Sequence, residues 1–279
     1  MKFGLSIPNK GIYSDIHLIV ELAQMAEEAK WDGFYLWDHV AGPARTPFID
    51  PWICMAAVAV QTRNMRLGVM VTPLSRRRPW KVAREIVALD RLSEGRMLLG
   101  VGLGYFRNKE FKEFGEVDDP KVRGDMLDEG LEIIAGLQSG EKYCFQGEHY
   151  QVAGTVFRPI PIQSPRIPVW VAGMWPNKRP FRRAARWDGV IPMGKGKGYA
   201  SLSPADIREI KAFIMKHRKR DEPFDLCLGG QTTGESLAED RSMIAPYQAE
   251  GLTWWIESIP PTQLSLKQAQ KRIRVGPPR

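Results

Sequence analysis

The chain has 279 residues, 43% of them hydrophobic and 26% charged, which is ordinary for a globular protein and enough for one large core. Its formal charge of +8 comes from 40 basic and 32 acidic residues mixed along the whole sequence. No nucleic-acid module accompanies that charge, so solubility or an anionic small ligand explains it better than nucleic acid does. The three cysteines, Cys54, Cys144 and Cys227, are scattered and form no C-x-x-C pair, against a disulfide framework or structural zinc and in keeping with a reducing cytoplasm.

Met1–Pro8 carries one charge and a short apolar run, so it reads as a first strand and not as a signal peptide. No apolar run approaches the ~20 residues of a membrane helix, and no membrane partner is expected. Asp15–Lys30 has Ile16, Ile19, Leu22, Ala23, Ala26 and Ala29 at helical spacing, Gly33–Val40 is a strand, and Pro51–Thr62 is a helix with an Ala/Val face. Leu67–Thr72 is a Val-rich buried strand. A helix follows from Pro79, with Val82, Ile86, Leu89 and Leu92 in register, and Gly95 ends it. Met97–Val101 is the fourth strand and Val122–Leu137 the fourth helix. Lys142–Phe145 and His149–Val152 form a short hairpin excursion around Gln146-Gly147-Glu148.

The alternation then resumes with Ile167–Ala172, Gly189–Pro192, Phe224–Leu228 and Leu252–Ile256 as strands. Lys178–Arg186, Pro204–Arg218, Glu235–Gln248 and Pro261–Ile273 are their helices. Parallel strands with right-handed helical crossovers give an open sheet or a closed barrel. Eight strand–helix pairs in this length favour an α/β fold, a single (β/α)8 TIM barrel over residues 1–273. Arg274–Arg279 reads as a basic Pro/Gly tail, disordered outside the barrel.

A barrel carries its site at the carboxyl ends of its strands. Those positions hold Pro8 and Asn9, Trp37-Asp38-His39, Thr72, Gly102, Gly104, Tyr105, Gly173-Met174-Trp175, Met193-Gly194, Gly229-Gly230-Gln231 and Glu257. With only four histidines in the chain, the set is poor in metal ligands, and no metal site is expected. His39 is the natural group for proton transfer, a buried ring bonded to backbone being the plain alternative. Asp38 points to the opposite strand face, so an Asp–His relay is not implied. Gly100-Val101-Gly102-Leu103-Gly104 is no dinucleotide fingerprint, because Tyr105 stands one place after Gly104. The turn admits a flat ligand against backbone, or is merely tight. Free N–H groups near Lys178, the loop Gly194–Gly198 and Arg76-Arg77-Arg78 are places where an anion could sit, or else are solvated surface. Trp52, Tyr105, Phe106, Trp175 and Tyr199 could line an aromatic pocket or simply belong to the core.

Several stretches in one order carry a family pattern: Gly33-Phe34-Tyr35-Leu36-Trp37-Asp38-His39, Leu67–Pro73, Leu89-Asp90-Arg91-Leu92-Ser93-Glu94-Gly95-Arg96, Leu99–Gly104, Val169–Gly173 and Ala184–Gly189. On these the chain resembles the bacterial luciferase-like family of flavin- and deazaflavin-dependent oxidoreductases over nearly its whole length. The resemblance implies a (β/α)8 barrel holding coenzyme F420 or FMN, with a slight lean to F420, and a small organic substrate that undergoes hydride transfer or monooxygenation. It implies a non-prolyl cis peptide at Met70–Val71 behind the ring, and His39, with Asp38, in the catalytic place. Trp37, Thr72, Gly102, Gly104 and Tyr105 would flank the cofactor, Gly173, Met174 and Lys178 would meet its phosphate, and Arg76 its acidic tail. A separate flavin reductase would be a partner if FMN is used, and a homodimer is the expected assembly. Two features depart from the pattern. Tyr105 stands where the sugar-phosphate dehydrogenase branch has a glutamate, and Met174-Trp175-Pro176 replaces a glycine-rich phosphate loop. A cofactor-binding protein without turnover and a metal-dependent barrel hydrolase are the alternatives.

Overall fold

The computed structural model describes residues 1–43, 45–104, 110–195, 202–260 and 263–279. Tyr105, Phe106 and Tyr199, together with Gly196–Gly198 of the glycine–lysine loop, lie outside the described residues.

Eight parallel strands close into a barrel: β1 (Lys2–Ile7), β2 (Gly33–Leu36), β3 (Arg66–Pro73), β4 (Met97–Gly102), β7 (Val169–Trp175), β8 (Gly189–Gly194), β9 (Asp225–Gly230) and β10 (Trp254–Ser258). Around the barrel their order is β1-β10-β9-β8-β7-β4-β3-β2. The helices in chain order are α1 (Ile16–Glu28), α2 (Pro51–Gln61), α3 (Pro79–Leu92), α4 (Pro120–Leu137), α5 (Lys178–Ala184), α6 (Pro204–His217), α7 (Leu237–Ala249) and α8 (Leu266–Val275). Most begin where the sequence supplies a cap. Asp50 accepts from Trp52 and Ile53 N–H before Pro51, Asp119 accepts from Lys121 and Val122 N–H before Pro120, and Ser203 forms a capping box with Asp206 before Pro204.

The excursion is an antiparallel hairpin, β5 (Lys142–Gln146) and β6 (Gln151–Val156), outside the barrel. The Glu129 carboxylate on α4 holds its turn by accepting from Glu148, His149 and Tyr150 N–H at 2.8, 3.1 and 3.0 Å.

Several boundaries differ from the periodicity reading, three of them for a reason the structure shows. β2 stops at Leu36: Trp37 N–H makes the last ladder bond, to the Ile7 carbonyl (3.0 Å), and the Asn9 side chain then takes both the N–H and the carbonyl of His39. The last helix begins at Leu266 instead of Pro261, because Ser265 and Gln268 make a reciprocal capping box there. The C-terminal residues pack instead of trailing: Gly276, Pro277 and Pro278 are buried and Arg279 donates to the Lys30 carbonyl and ion-pairs with Asp32.

Strand alternation sends every second side chain inward. Tyr35, Leu98, Trp170, Ile191, Cys227, Trp254 and Ile256 form the inner cluster, separate from the larger core between barrel and helices. Tyr35, Trp170 and Trp254 pack their rings edgewise or tilted with centroids 5.3–6.1 Å apart. These three rings plug the barrel. One inward step further along the strands stand Trp37, Gly102, Ala172, Met193, Gly229 and Ser258, several of them small, so the upper barrel has room that the plug does not.

Candidate active site

The Met70–Val71 peptide is cis, as the resemblance implied, and the β3–β4 register shifts between Val69 and Thr72. Val71 packs with Met70 on the inner cluster. Gly102 on β4 accommodates it, since a Cβ there would stand 2.8 Å from Val71 Cγ2 and 3.4 Å from Ala172 Cβ. Val71, Gly102 and Ala172 thus make one low floor across three neighbouring strands. Gly104, just beyond, has φ +78°, a backbone conformation that glycine adopts without penalty.

The end of β2 is tied down by polar contacts. Trp37 donates through Nε1 to Ser6 Oγ at 2.8 Å, and its ring meets the His39 ring edgewise at 5.7 Å. Buried Asn9 donates to the carbonyls of His39 and Ile49, both at 2.7 Å, and accepts from His39 N–H at 3.2 Å. The backbone that carries His39 is therefore fixed on both sides.

Asp38 and His39 diverge. Asp38 turns to the helix layer, where it accepts from Arg76 Nη2 at 2.7 Å and Trp52 Nε1 at 3.2 Å, with Arg77 at 3.5 Å. His39 turns the other way, and its Nδ1 lies 3.0 Å from Oε1 of Glu110. The second oxygen of Glu110 accepts from Arg76 Nη1 at 2.9 Å, so one guanidinium joins both carboxylates. Their burial is nearly complete: side-chain exposure is 2% for Asp38 and Glu110, 5% for Arg76 and 17% for His39. Burial works against the Glu110 charge. The His39 hydrogen bond, the charges of His39 and Arg76 and the Ala41 N–H outweigh it and hold the carboxyl below the ordinary glutamate value.

This geometry redistributes the expected site residues. Trp37, His39, Met70, Val71 and Gly102 gather at or just below the mouth. Arg76, expected at an acidic cofactor tail, pairs with Asp38 and Glu110, and all three reach the cavity at the carboxyl ends of β2 and β3. Thr72 is buried. Glu257, also expected at the mouth, faces the helix layer, where it accepts from Thr232 N–H at 2.7 Å and Trp255 Nε1 at 3.0 Å; burial raises its pKa. Across the barrel, buried Gly173 passes against Pro180, and the Lys178 ammonium sits 3.5 Å from the centroid of the Trp175 ring. The neighbouring Arg179 is paired with Asp125 and Asp128. Glu110 was not foreseen. It lies 71 residues from His39, no motif or periodicity marks it, and only the fold brings the two together.

A cavity of about 550 Å³ opens at the carboxyl ends of β2 and β3, lined by Asp38, His39, Arg76, Glu110, Phe48 and Phe114 among others. A second of equal volume lies at the opposite end, around Lys2, Arg66, Arg96 and Trp254, where strands begin. Barrel chemistry belongs to the carboxyl end, which selects the first. Among the described residues no group of three or more His, Cys, Asp or Glu is placed to hold a metal, and no helix is long and apolar enough to cross a membrane.

A barrel with its polar cluster at the ends of β2–β4 defines a class, and comparison with known proteins gives the family within it. The model for luciferase-like monooxygenases matches residues 1–248, and the chain belongs to that family. An F420-dependent glucose-6-phosphate dehydrogenase of Gordonia bronchialis is 33% identical over 186 residues, which cover 64% of this chain and 53% of that protein. The chain thus spans about half the length of that relative. A Mycolicibacterium smegmatis protein of the same description is 33% identical over 238 residues, covering 82% of this chain and 69% of its own. Among solved structures, an F420-dependent secondary alcohol dehydrogenase superposes with a TM-score of 0.80 at 14% identity, covering 98% of this chain and 97% of its own. A monooxygenase from Streptomyces bottropensis gives 0.77 at 19%, covering 99% and 97%. At such identities these two likenesses speak for the fold.

Proposed function

We propose that this protein is an oxidoreductase that binds the tricyclic ring of coenzyme F420 in the barrel mouth and transfers hydride to or from a small organic substrate. The observation that carries the reading is the floor of Val71, Gly102 and Ala172, bare of large side chains above an aromatic plug, with His39 held at its rim. That floor fits a flat ring, and the residues around it are mostly apolar or uncharged. Two relatives at 33% identity that are F420-dependent by name favour this cofactor over FMN. Coenzyme F420 supplies two-electron hydride chemistry when bound.

The chain's own part is positioning, water exclusion and the proton. Trp37 and Val71 would hold the ring, and the plug of Tyr35, Trp170 and Trp254 closes the barrel beneath. His39 gives or takes the proton that accompanies hydride transfer, through Nε2, because Nδ1 is committed to Glu110. The substrate enters from the cavity on the β2–β3 flank, whose apolar members Phe48, Ile49 and Phe114 suit a small organic molecule. Glucose 6-phosphate is not carried over from the relatives, because Tyr105 replaces the glutamate of that branch. The reading includes a homodimer, for which the exposed Ile53 and Val60 on α2 offer an apolar strip.

Titrating the purified protein with oxidised coenzyme F420 and, separately, with FMN, while following cofactor fluorescence, tests the reading. Saturable binding that is tighter for F420 supports it. Binding of FMN alone would move the assignment to a monooxygenase supplied by a separate reductase.

A further inference from the structure

We propose that Glu110 is a positioning residue that fixes the tautomer of His39, so that Nδ1 carries the proton of the neutral ring and Nε2 carries its lone pair. The proposal rests on the assignment of His39 as the proton-transfer group, and adds to it a residue that acts through the His39 ring.

Oε1 of Glu110 receives Val40 N–H at 3.1 Å and Ala41 N–H at 3.4 Å, and lies 3.0 Å from His39 Nδ1. Oε2 receives Arg76 Nη1 at 2.9 Å. Two backbone amides and a guanidinium can only donate, so they require an acceptor carboxylate, and an ionised carboxylate has no proton to offer the imidazole. The hydrogen between His39 and Glu110 must then belong to Nδ1. The opposite tautomer would set an Nδ1 lone pair against an oxygen of a carboxylate whose side chain is 2% exposed. The lowered pKa of Glu110 agrees with the same assignment.

Arg76 extends the arrangement. Its Nη2 donates to both the backbone carbonyl and the carboxylate of Asp38, at 2.5 and 2.7 Å, so the guanidinium ties Glu110 to the strand end on which His39 rides. Asp38 is held in turn by Trp52 Nε1 and Arg77, and Arg77 is also paired with Glu85 at 2.7 Å. Among the described residues, Arg76 faces the His39–Glu110 contact directly, with Asp38 and Arg77 behind it. Glu110 locks the ring's proton, and Arg76 locks Glu110. This places a structural job on an acid that follows β4, far in sequence from the histidine it serves.

The test is nitrogen-15 NMR of the histidine side chains in the protein labelled at histidine, read on the alkaline side of the titration. His39 is identified by the signal lost in His39→Gln. The expected wild-type pattern is a protonated Nδ1 and a bare Nε2, with Glu110→Gln giving the other tautomer or a mixture. In the same variant turnover falls by about 10²-fold, within the range of general acid–base assistance, while KM changes less than about twofold. Glu110→Asp, which keeps the acceptor on a shorter stem, keeps the wild-type tautomer. A wild-type ring protonated on Nε2 overturns the proposal without any variant, as does an unchanged pattern in Glu110→Gln. The tautomer is read without cofactor. Failure of F420 to bind would therefore count against the function assigned above and leave this inference standing on its own measurement.

Discussion

At His39 the structure separates two roles that adjacent positions in a sequence cannot. Asp38 and His39 are neighbours, yet the first is buried among Arg76, Arg77 and Trp52 and the second reaches Glu110. His39→Ala is expected to lower turnover about 10²–10⁴-fold, the range of a lost general acid–base, with cofactor affinity changed only a few-fold. Steady-state kinetics beside the fluorescence titration check this, and unchanged turnover would remove the role. Glu110 also sets a pH dependence. Its carboxyl is held below the ordinary glutamate value in the folded protein, so its stabilisation is fully present above that value and is lost as pH falls through the lowered one. Acid titrations of the wild type and Glu110→Gln should therefore converge in stability as pH drops below the ordinary glutamate range. A gap that stays constant would show that the network contributes nothing through ionisation.

At the scale of elements, the sequence spoke plainly wherever local chemistry ran the structure. Pro51, Pro79, Pro120 and Pro204 each open a helix at its first turn, and the Val-rich run of β3 is a strand because its burial on both faces selects such residues. Boundaries were lost where a distant group decided them. The Asn9 side chain, from the loop after β1, ends β2, and Arg279 is held by Lys30 and Asp32, which no local pattern announces. The α2 cap offers a direct check. Asp50 accepts from Trp52 and Ile53 N–H at 2.9 Å, so Asp50→Ala should cost about 1 kcal/mol in denaturant unfolding, with the slope unchanged. At the β4 end, Gly102→Ala places a Cβ 2.8 Å from the Val71 methyl and must displace it. Cofactor affinity is expected to fall by about tenfold, equivalent to ~1.4 kcal/mol, with far-ultraviolet circular dichroism preserved.

For the whole molecule, the count of alternating segments made the barrel legible before any contact was known, because parallel strands with helical crossovers leave few alternatives. The glycines and aromatics at the strand ends were legible too. The layering inside the barrel was not, since which face of each strand turns inward depends on closure and register. The plug of Tyr35, Trp170 and Trp254 is a product of that closure. Trp170→Ala should cost about 3–5 kcal/mol, as large-to-small changes in packed cores do, and should loosen the mouth above it. Glu110 was illegible for the same reason: its partners are His39, Arg76 and the start of a loop after β2, assembled only when β2, β3 and β4 lie side by side.

The central claim is that the floor of Val71, Gly102 and Ala172 seats a flat cofactor ring within reach of His39. A crystal structure of the complex with coenzyme F420 measures this most directly. The ring's density is expected against Val71 and Gly102, with its reactive edge turned to the His39 side of the mouth. Density for the ring at the opposite end of the barrel, among Lys2, Arg66 and Trp254, or on the outer surface, would contradict it.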